Sequence, residues 1–326
     1  MFSVKNKRYF FISKLILIFL FLTICQIILL SPVIVWAQET VIPILTYHNF
    51  TKGKSSSYQI NIDKFEKQMD YLSTHNYSVI SLSELIKGQK NSSLPSKPVA
   101  ITIDDGFKST YTLAYPILKR YNFPATFFIY TDFIEKNRHS LTWEEIKEMT
   151  GNNIEIGSHT LSHPNLLEYR KGENYNAYFS RIKEEIFLSK KILEEKINTK
   201  IKYFAYPYGT YDSTIKNLVI QAGYKAIFNA NSMNNDNSHN PFTMNRQIIF
   251  GQNSFDSFIG ILNQHLLPVS EIFPADGSVG TNQFIKIGAC LNDENIIAKT
   301  LSMKLGGAKV KFKFNPKNQE ISFTPV

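Results

Sequence analysis

The sequence predicts an α/β fold: a parallel sheet curled into a (β/α) barrel, followed by a small β segment. Three observations carry this. Short apolar runs alternate with stretches at helical spacing from residue 41 to about 262, the pattern of βα units on a parallel sheet. Residues with chemical potential fall just after those runs: His48, Asp104 with Asp105, His159, and Tyr206 to Tyr208. The C-terminal ends of barrel strands form one face, where such residues converge. From about Ile272 the pattern changes to alternation of polar and apolar residues, which reads as antiparallel hairpins.

Taken in order, residues 1–37 are not fold. Lys5, Lys7, Arg8 and Lys14 precede the apolar run Leu15 to Leu30; Ser31-Pro32 breaks it, and Val35-Trp36-Ala37 fits a small-residue cleavage site. This reads as an export signal. Leu15 to Ala37 is also long enough to span a bilayer, so an uncleaved anchor is the alternative. Residues 38–267 form the main domain and 268–326 a small β-rich one, Ig-like or incomplete.

Val41 to Tyr47 reads as a strand ending at His48. Phe65, Met69 and Leu72 space a helix over 62–74. Tyr77 to Ile80 is a short strand, Ser81 to Leu85 opens a helix, and Pro98 to Ile103 is a buried strand stopped by Asp-Asp-Gly. A helix over 109–121 leads to the strand Ala125 to Tyr130. Thr142 with Glu145 makes a capping box for a helix to Met149. Ile154 to Ile156 is a strand, and 176–197 a long helix with Ile182, Ile186, Leu193 and Ile197 on one stripe. Its paired acids, Glu184-Glu185 and Glu194-Glu195, are expected on the solvated face. Tyr203 to Ala205, Tyr224 to Asn229 and Ile248 to Phe250 are further strands; 216–222 and 254–264 are helices, and an Asn-rich polar loop runs to Pro241. Lys309 to Phe314, the turn Asn315 to Asn318 and Ile321 to Thr324 make a hairpin.

Composition narrows the function. The chain has 326 residues and a formal charge of +9, which falls to +5 once Lys5, Lys7, Arg8 and Lys14 are removed with the signal. No basic stripe is present, so nucleic acid is not expected as a partner; a mildly basic exported protein can associate with an anionic cell envelope. Cys25 lies in the signal, leaving Cys290 alone, so the mature chain forms no internal disulfide and is expected to be a monomer resting on its core.

The chemistry is concentrated in two motifs. Val99-Ala-Ile-Thr-Ile-Asp104-Asp105-Gly106 is answered by Gly157-Ser158-His159-Thr160-Leu161-Ser162-His163. One Asp and two His suit a divalent metal, and the second Asp is left to act as a base; together they are equipment for metal-assisted hydrolysis. An Asp-Asp at a strand end is by itself usually a turn or cap.

With Phe204-Ala205-Tyr206-Pro207-Tyr208-Gly209, these motifs resemble those of the polysaccharide deacetylase family, carbohydrate esterase family 4. The segment Ile42 to Asn49 and the form of the third motif resemble its poly-β-1,6-N-acetylglucosamine N-deacetylase subgroup. The resemblance covers about residues 41–262. It implies a distorted barrel of fewer than eight strands and hydrolysis of N-acetyl groups on an N-acetylglucosamine polysaccharide. Peptidoglycan or chitin-like oligomers are the alternative substrates, and a catalytically silent glycan-binding surface protein the alternative function. By motif match, Asp105, His159 and His163 hold the metal, with Zn²⁺ first and Co²⁺, Ni²⁺ or Fe²⁺ suited to the same set. Asp104 is then the general base, and the Tyr208 backbone N–H an oxyanion donor. His48, after the first strand, is the general acid in place of a late His; His265 is the other candidate. Two departures stand out. Ala205 occupies the position of a base-orienting Arg, and an Asp-rich fourth motif is missing near Gly223 to Ala230. Arg246, before a strand, is the candidate partner of Asp104 and, with Tyr206, a candidate substrate contact. Phe107 and Trp143 are cleft or core aromatics; His75, His139 and His239 read as surface residues.

Overall fold

The computed structural model describes residues 40–264, 269–273, 287–291, 301, 303–305 and 308–323. Residues 1–37 and His265 therefore lie outside the described residues, as does Pro274 to Gly277, which reads as the entry to the β segment. No described helix is long and apolar enough to cross a membrane.

The central sheet is parallel and curled. Its strands are β1 (Ile44–Tyr47), β4 (Ser78–Val79), β5 (Pro98–Asp105), β6 (Ala125–Ile129), β7 (Ile154–Ser158), β8 (Tyr203–Ala205), β9 (Ala226–Phe228) and β10 (Gln247–Ile248). The order is β10-β1-β5-β6-β7-β8-β9, with β4 beside the start of β5. The first strand is therefore an inner one, paired with both β5 and the last strand β10. Two strands that the sequence does not announce, β2 (Asn49–Thr51) and β3 (Gln59–Asn61), form a short parallel pair after His48. Three residues each are too few for a periodicity to show.

The helices are α1 (Ile62–Thr74), α2 (Leu82–Asn91), α3 (Tyr115–Tyr121), α4 (Trp143–Thr150), α5 (Tyr175–Ile197), α6 (Ser213–Gln221) and α7 (Phe255–Leu262). Asn61, Ser81, Thr142, Asn174, Asp212 and Ser254 cap the first turns of their helices with side-chain oxygens. The helix expected over 109–121 opens instead with a wider π turn, Thr110–Ala114, before α3. Pro116 explains the break in regularity: its ring has no N–H to give an i−4 carbonyl.

Strand alternation splits the core into two layers. Leu45, Tyr47, Ile101, Ile103, Phe127 and Ile129 pack outward on the helices, against Phe65, Met69, Ile117 and Leu118. Ile44, Ala100, Phe128, Tyr203, Ala205 and Phe228 fill the inside of the curl. Thr46, Thr102 and Thr126 share that parity and are buried; Thr46 and Thr102 join hydroxyls at 2.9 Å. Asp104 continues the row Ala100, Thr102, so the strand delivers its carboxylate to the inner face.

The C-terminal segment is antiparallel, as its alternation predicts. β11 (Val269–Phe273), β12 (Ile287–Leu291), β16 (Glu320–Phe323) and β15 (Lys313–Asn315) form one sheet, β13 (Met303–Leu305) and β14 (Ala308–Val310) another. Ala289, Leu291 and Ile321 are its small core.

Gly157, inside β7 and two residues before His159, sits at a close approach of neighbouring strands. A Cβ there would lie 2.4 Å from the Phe128 ring and 3.2 Å from the Tyr203 carbonyl oxygen. Phe128 is fully buried and has nowhere to go. Gly157→Ala is expected to lower the unfolding free energy by about 1–3 kcal/mol, the scale of overpacking. Chemical denaturation checks this, and an unchanged midpoint would mean that the two strands separate freely there.

Candidate active site

A cavity of about 670 Å³ opens at the C-terminal ends of the strands, lined by His48, Asp104, Asp105, His159, His163, Tyr206, Tyr208 and Arg246 among others. Each side chain arrives by a local device. Asp104 follows from strand parity. Asp105, next in sequence, would by the same parity point away, but its backbone turns to φ 80°. That left-handed conformation breaks the alternation, and both carboxylates face the cavity.

His159 extends β7, its N–H bonded to the Ile129 carbonyl at 2.9 Å. The chain then turns through two further left-handed residues, Thr160 (φ 72°) and His163 (φ 61°). Such conformations cost about 1–3 kcal/mol each and persist only where surroundings over-determine them. Here the His163 N–H bonds Thr160 Oγ1 at 3.0 Å, and Thr131 and Asp132 donate their N–H groups to the Thr160 and Leu161 carbonyls.

The ligand set meets at short range. His163 Nε2 lies 3.4 Å and His159 Nε2 3.9 Å from Asp105 Oδ1; one donor atom from each of the three falls within 4.8 Å of the others. His159 Nδ1 donates to the Ala205 carbonyl at 2.8 Å, which leaves the Nε2 lone pair facing the cavity. The backbone at Ala205 thus orients an imidazole. Burial lowers the pKa of both histidines, His159 to about 3, so both rings are neutral, the form that binds a metal. Burial and then the charge of Asp104 push Asp105 up to about 7. Its Oδ1 is buried with no hydrogen-bond partner. Two neutral imidazoles beside an unpartnered carboxylate oxygen fit a divalent cation.

Asp104 is treated differently. Arg246 Nη1 donates to its Oδ1 at 2.7 Å, and both side chains are 2% exposed. Burial pulls the Asp104 pKa up, but the Arg246 guanidinium outweighs it and holds the carboxyl below its ordinary range. Adjacent residues of one strand end are thereby driven apart in acidity, one by a cation in direct contact, the other by burial and its neighbour's charge. Arg246, expected among the substrate contacts, has its guanidinium occupied: Nε donates to the Asn229 carbonyl at 3.0 Å, and the plane lies over Phe128. Nε and Nη1 are thus engaged within the protein, and Arg246 also lines the cavity.

What fixes Arg246 is the segment expected to be a polar loop. Asn229, Asn234, Asn235 and Asn245 are all buried. Asn235 exchanges hydrogen bonds with Asn245 main-chain atoms at 2.8 and 2.9 Å, Asn231 reaches the Asn245 side chain at 3.1 Å, and Ser232 N–H donates to the Arg246 carbonyl at 3.1 Å. Amides supply donor and acceptor on one side chain, which lets an irregular backbone be buried.

His48 is half-buried at the cavity wall, its ring 5.0 Å from that of Tyr58 and its Nδ1 without a partner. Burial, opposed by Asp104, lowers its pKa. Tyr208 takes φ 59° and ψ 2° in the short turn Pro207–Gly209. Its ring is 66% exposed and stands 4.9 Å from that of His163. Tyr206 is buried with its hydroxyl unpaired, stacked on Tyr211. Phe107 lines the cavity; Trp143 is buried in the helical layer.

Sequence reasoning missed Glu185. It is 3% exposed and receives hydrogen bonds from Leu161 N–H, Ser162 N–H and Ser162 Oγ. The available signal was its place on the buried stripe Tyr178, Ile182, Glu185, Ile186, Ser189, Leu193.

Residues 91–227 match the family model described as polysaccharide deacetylase. The poly-β-1,6-N-acetyl-D-glucosamine N-deacetylase of Staphylococcus aureus (strain MRSA252) is 32% identical over 185 residues, 55% of this chain and 64% of that protein. The chain thus spans less than two thirds of the length of that curated relative. Among solved structures, the deacetylase PplD of Streptococcus pyogenes in complex with acetate matches with a TM-score of 0.62 at 26% identity, covering 70% of this chain and 100% of that one. IcaB from Ammonifex degensii matches with a TM-score of 0.60 at 25% identity, covering 69% and 97%.

Replacing Arg246 by Gln strips a buried carboxylate of its cation, a change that costs about 3–5 kcal/mol. The sign with pH follows. In the native chain the depressed Asp104 pKa contributes stability above the unfolded value, lost as pH falls through the folded one. In the variant, burial alone raises Asp104, which takes up a proton as pH falls and escapes its penalty. The stability gap between the two proteins is therefore expected to be wide at pH 7 and to narrow towards pH 4, read by denaturant unfolding. A gap independent of pH would mean that Arg246 acts through packing alone.

Proposed function

We propose, from the premise that the barrel of this chain belongs to the polysaccharide deacetylase family, that it is an exported, metal-dependent hydrolase of N-acetyl groups on a β-1,6-linked N-acetylglucosamine exopolysaccharide. The observation that carries the reading is the division of labour between Asp104 and Asp105. Adjacent in sequence and both turned to one cavity, they have opposite surroundings: a guanidinium at 2.7 Å for one, two neutral imidazoles for the other.

In this reading Asp105, His159 and His163 hold one divalent ion, Zn²⁺ first among those that suit the set. The ion would polarise the amide carbonyl and lower the pKa of water. The chain's own groups do the rest. Asp104, kept ionised by Arg246, accepts the proton of the attacking water. The Tyr208 N–H is the donor to the developing oxyanion, a part Pro207 cannot share because it has no N–H. His48 gives its proton to the departing amine, since an amine anion is too poor a leaving group to depart unprotonated. A histidine whose pKa is lowered by burial is the stronger acid when it does so. Tyr58 and Tyr208, 54% and 66% exposed beside the cavity, offer aromatic faces to a sugar. Support for this polymer comes from the staphylococcal relative and the third-motif form Phe204 to Gly209. Support for export comes from Lys5 to Lys14 ahead of the apolar Leu15 to Leu30.

Acetate release from poly-β-1,6-N-acetylglucosamine, measured beside metal content, tests the function. Activity is expected with close to one equivalent of metal, lost on chelation and restored by Zn²⁺ or Co²⁺. Tight glycan binding with full metal and no acetate would make the protein a binder.

His48→Asn tests the acid. The variant is expected to keep its metal, to lose about 10²-fold or more in amide turnover, and to lose the fall in rate at high pH. It should lose far less on an activated aryl ester, whose leaving group needs no proton. Equal losses on both substrates would give His48 a positioning role instead.

A further inference from the structure

The loop that carries both histidines is an unusual piece of backbone. Between His159 and His163 the chain has no glycine, yet Thr160 and His163 both sit at positive φ. For a β-branched residue such as Thr160 this is a rare conformation. Besides the Thr160 hydroxyl and the Thr131 and Asp132 N–H groups, a further restraint comes from a distant element. Glu185, on the buried stripe of α5, places a carboxylate against the crest of the loop. Its Oε2 accepts the N–H groups of Leu161 (3.0 Å) and Ser162 (2.9 Å), and its Oε1 accepts the Ser162 hydroxyl at 2.6 Å. The side chain is almost fully buried, and Ile182, Ile186 and Ser189 beside it are buried too. Ser189 in turn joins its hydroxyl to that of Ser158, the last residue of β7, at 2.9 Å. Helix α5 is thus stitched to the strand just before His159 and to the turn just before His163.

We propose that Glu185 is the positioning residue of the metal site: its carboxylate clamps the Leu161–Ser162 turn so that His159 and His163 are held at ligand spacing. This rests on the reading of Asp105, His159 and His163 as metal ligands. The hydrogen bonds of Glu185 go to Leu161 and Ser162 rather than to the three side chains, though its charge reaches His163. It acts on the backbone that joins two of them, and two parallel charge-assisted N–H bonds to one oxygen fix the tilt of that turn as well as its position. Groups that orient ligands typically govern metal affinity by about 10–100-fold when removed. A purely structural acid would change stability and leave affinity alone.

The test compares the wild-type chain with Glu185→Gln, Glu185→Ala and Ser162→Ala. Glu185→Gln keeps one oxygen for the two N–H groups but presents an amide N–H₂ to the Ser162 hydroxyl. Ser162→Ala removes the hydroxyl bond and leaves the carboxylate in place. Metal-free protein is titrated with Zn²⁺ against a chromophoric chelator and with Co²⁺ followed by its visible absorption, and thermal unfolding of the metal-free forms is recorded alongside. The Zn²⁺ Kd is expected to rise about 10–100-fold in Glu185→Ala, by a smaller factor in Glu185→Gln and Ser162→Ala, with the Co²⁺ band altered in all three. If Glu185→Ala does not fold, the other two decide. Folded Glu185→Gln and Ser162→Ala that bind Zn²⁺ with the wild-type Kd and share its Co²⁺ spectrum overturn the clamp, whatever their unfolding temperatures. Wild-type protein that binds no Zn²⁺ or Co²⁺ overturns the metal reading and the clamp with it, so the two failures are distinguishable.

Discussion

The ion pair between Arg246 and Asp104 is the constraint around which the rest of the site is arranged. Two charges removed from water repay their desolvation only when geometry is good and remaining hydrogen-bonding capacity is met. Arg246 meets that condition through the Asn229 carbonyl, the Phe128 face and a cradle of buried asparagines. Strand β9 and the segment to β10 exist in their observed form to bring one guanidinium under one carboxylate. The motif position filled by Ala205 then needs no cation, because the cation arrives from the other end of the sheet. Ala205 contributes a carbonyl to His159 instead.

The same pair explains how one strand end supports two carboxylates of opposite acidity. If both Asp104 and Asp105 lacked a cation, burial would tend to protonate both, since like charges side by side raise one another. Committing Arg246 to Asp104 leaves Asp105 as the acid with an unmet need for positive charge, beside rings that burial keeps neutral. The backbone turn at Asp105 makes this separation spatial as well as electrostatic.

Much of this was legible in the chain. The βα alternation, the helix over 62–74 and the capping box at Thr142 are local patterns, and the structure has them where the periodicity puts them. The acidic and histidine pairs could be read because each follows an apolar strand, so parity and proximity to the sheet end limit where they can point. The hidden features share one physical cause: their meaning lies in partners remote in sequence. The asparagines from 229 to 245 look like a solvated loop until their amides are seen to bond one another and the segment's own backbone. Glu185 sits beside the exposed Glu184, and only its register on the α5 stripe tells them apart. Arg246 was identified as a partner for Asp104 by position before a strand, but the closure that makes it fully buried belongs to the sheet order.

That sheet order has a temporal consequence. Because β1 lies between β5 and β10, the cavity is walled by a residue from the very start of the barrel and one from nearly its end, His48 and Arg246. A nascent chain could bring Asp105, His159 and His163 together before residue 246 is made. It could not yet neutralise Asp104, and no fragment that stops short of residue 246 contains the pair. Loop closure of this length is slow to be rewarded. Neutralisation of Asp104 thus waits on a part of the chain made well after Asp105, His159 and His163, which separates the gathering of those three side chains from completion of the ion pair.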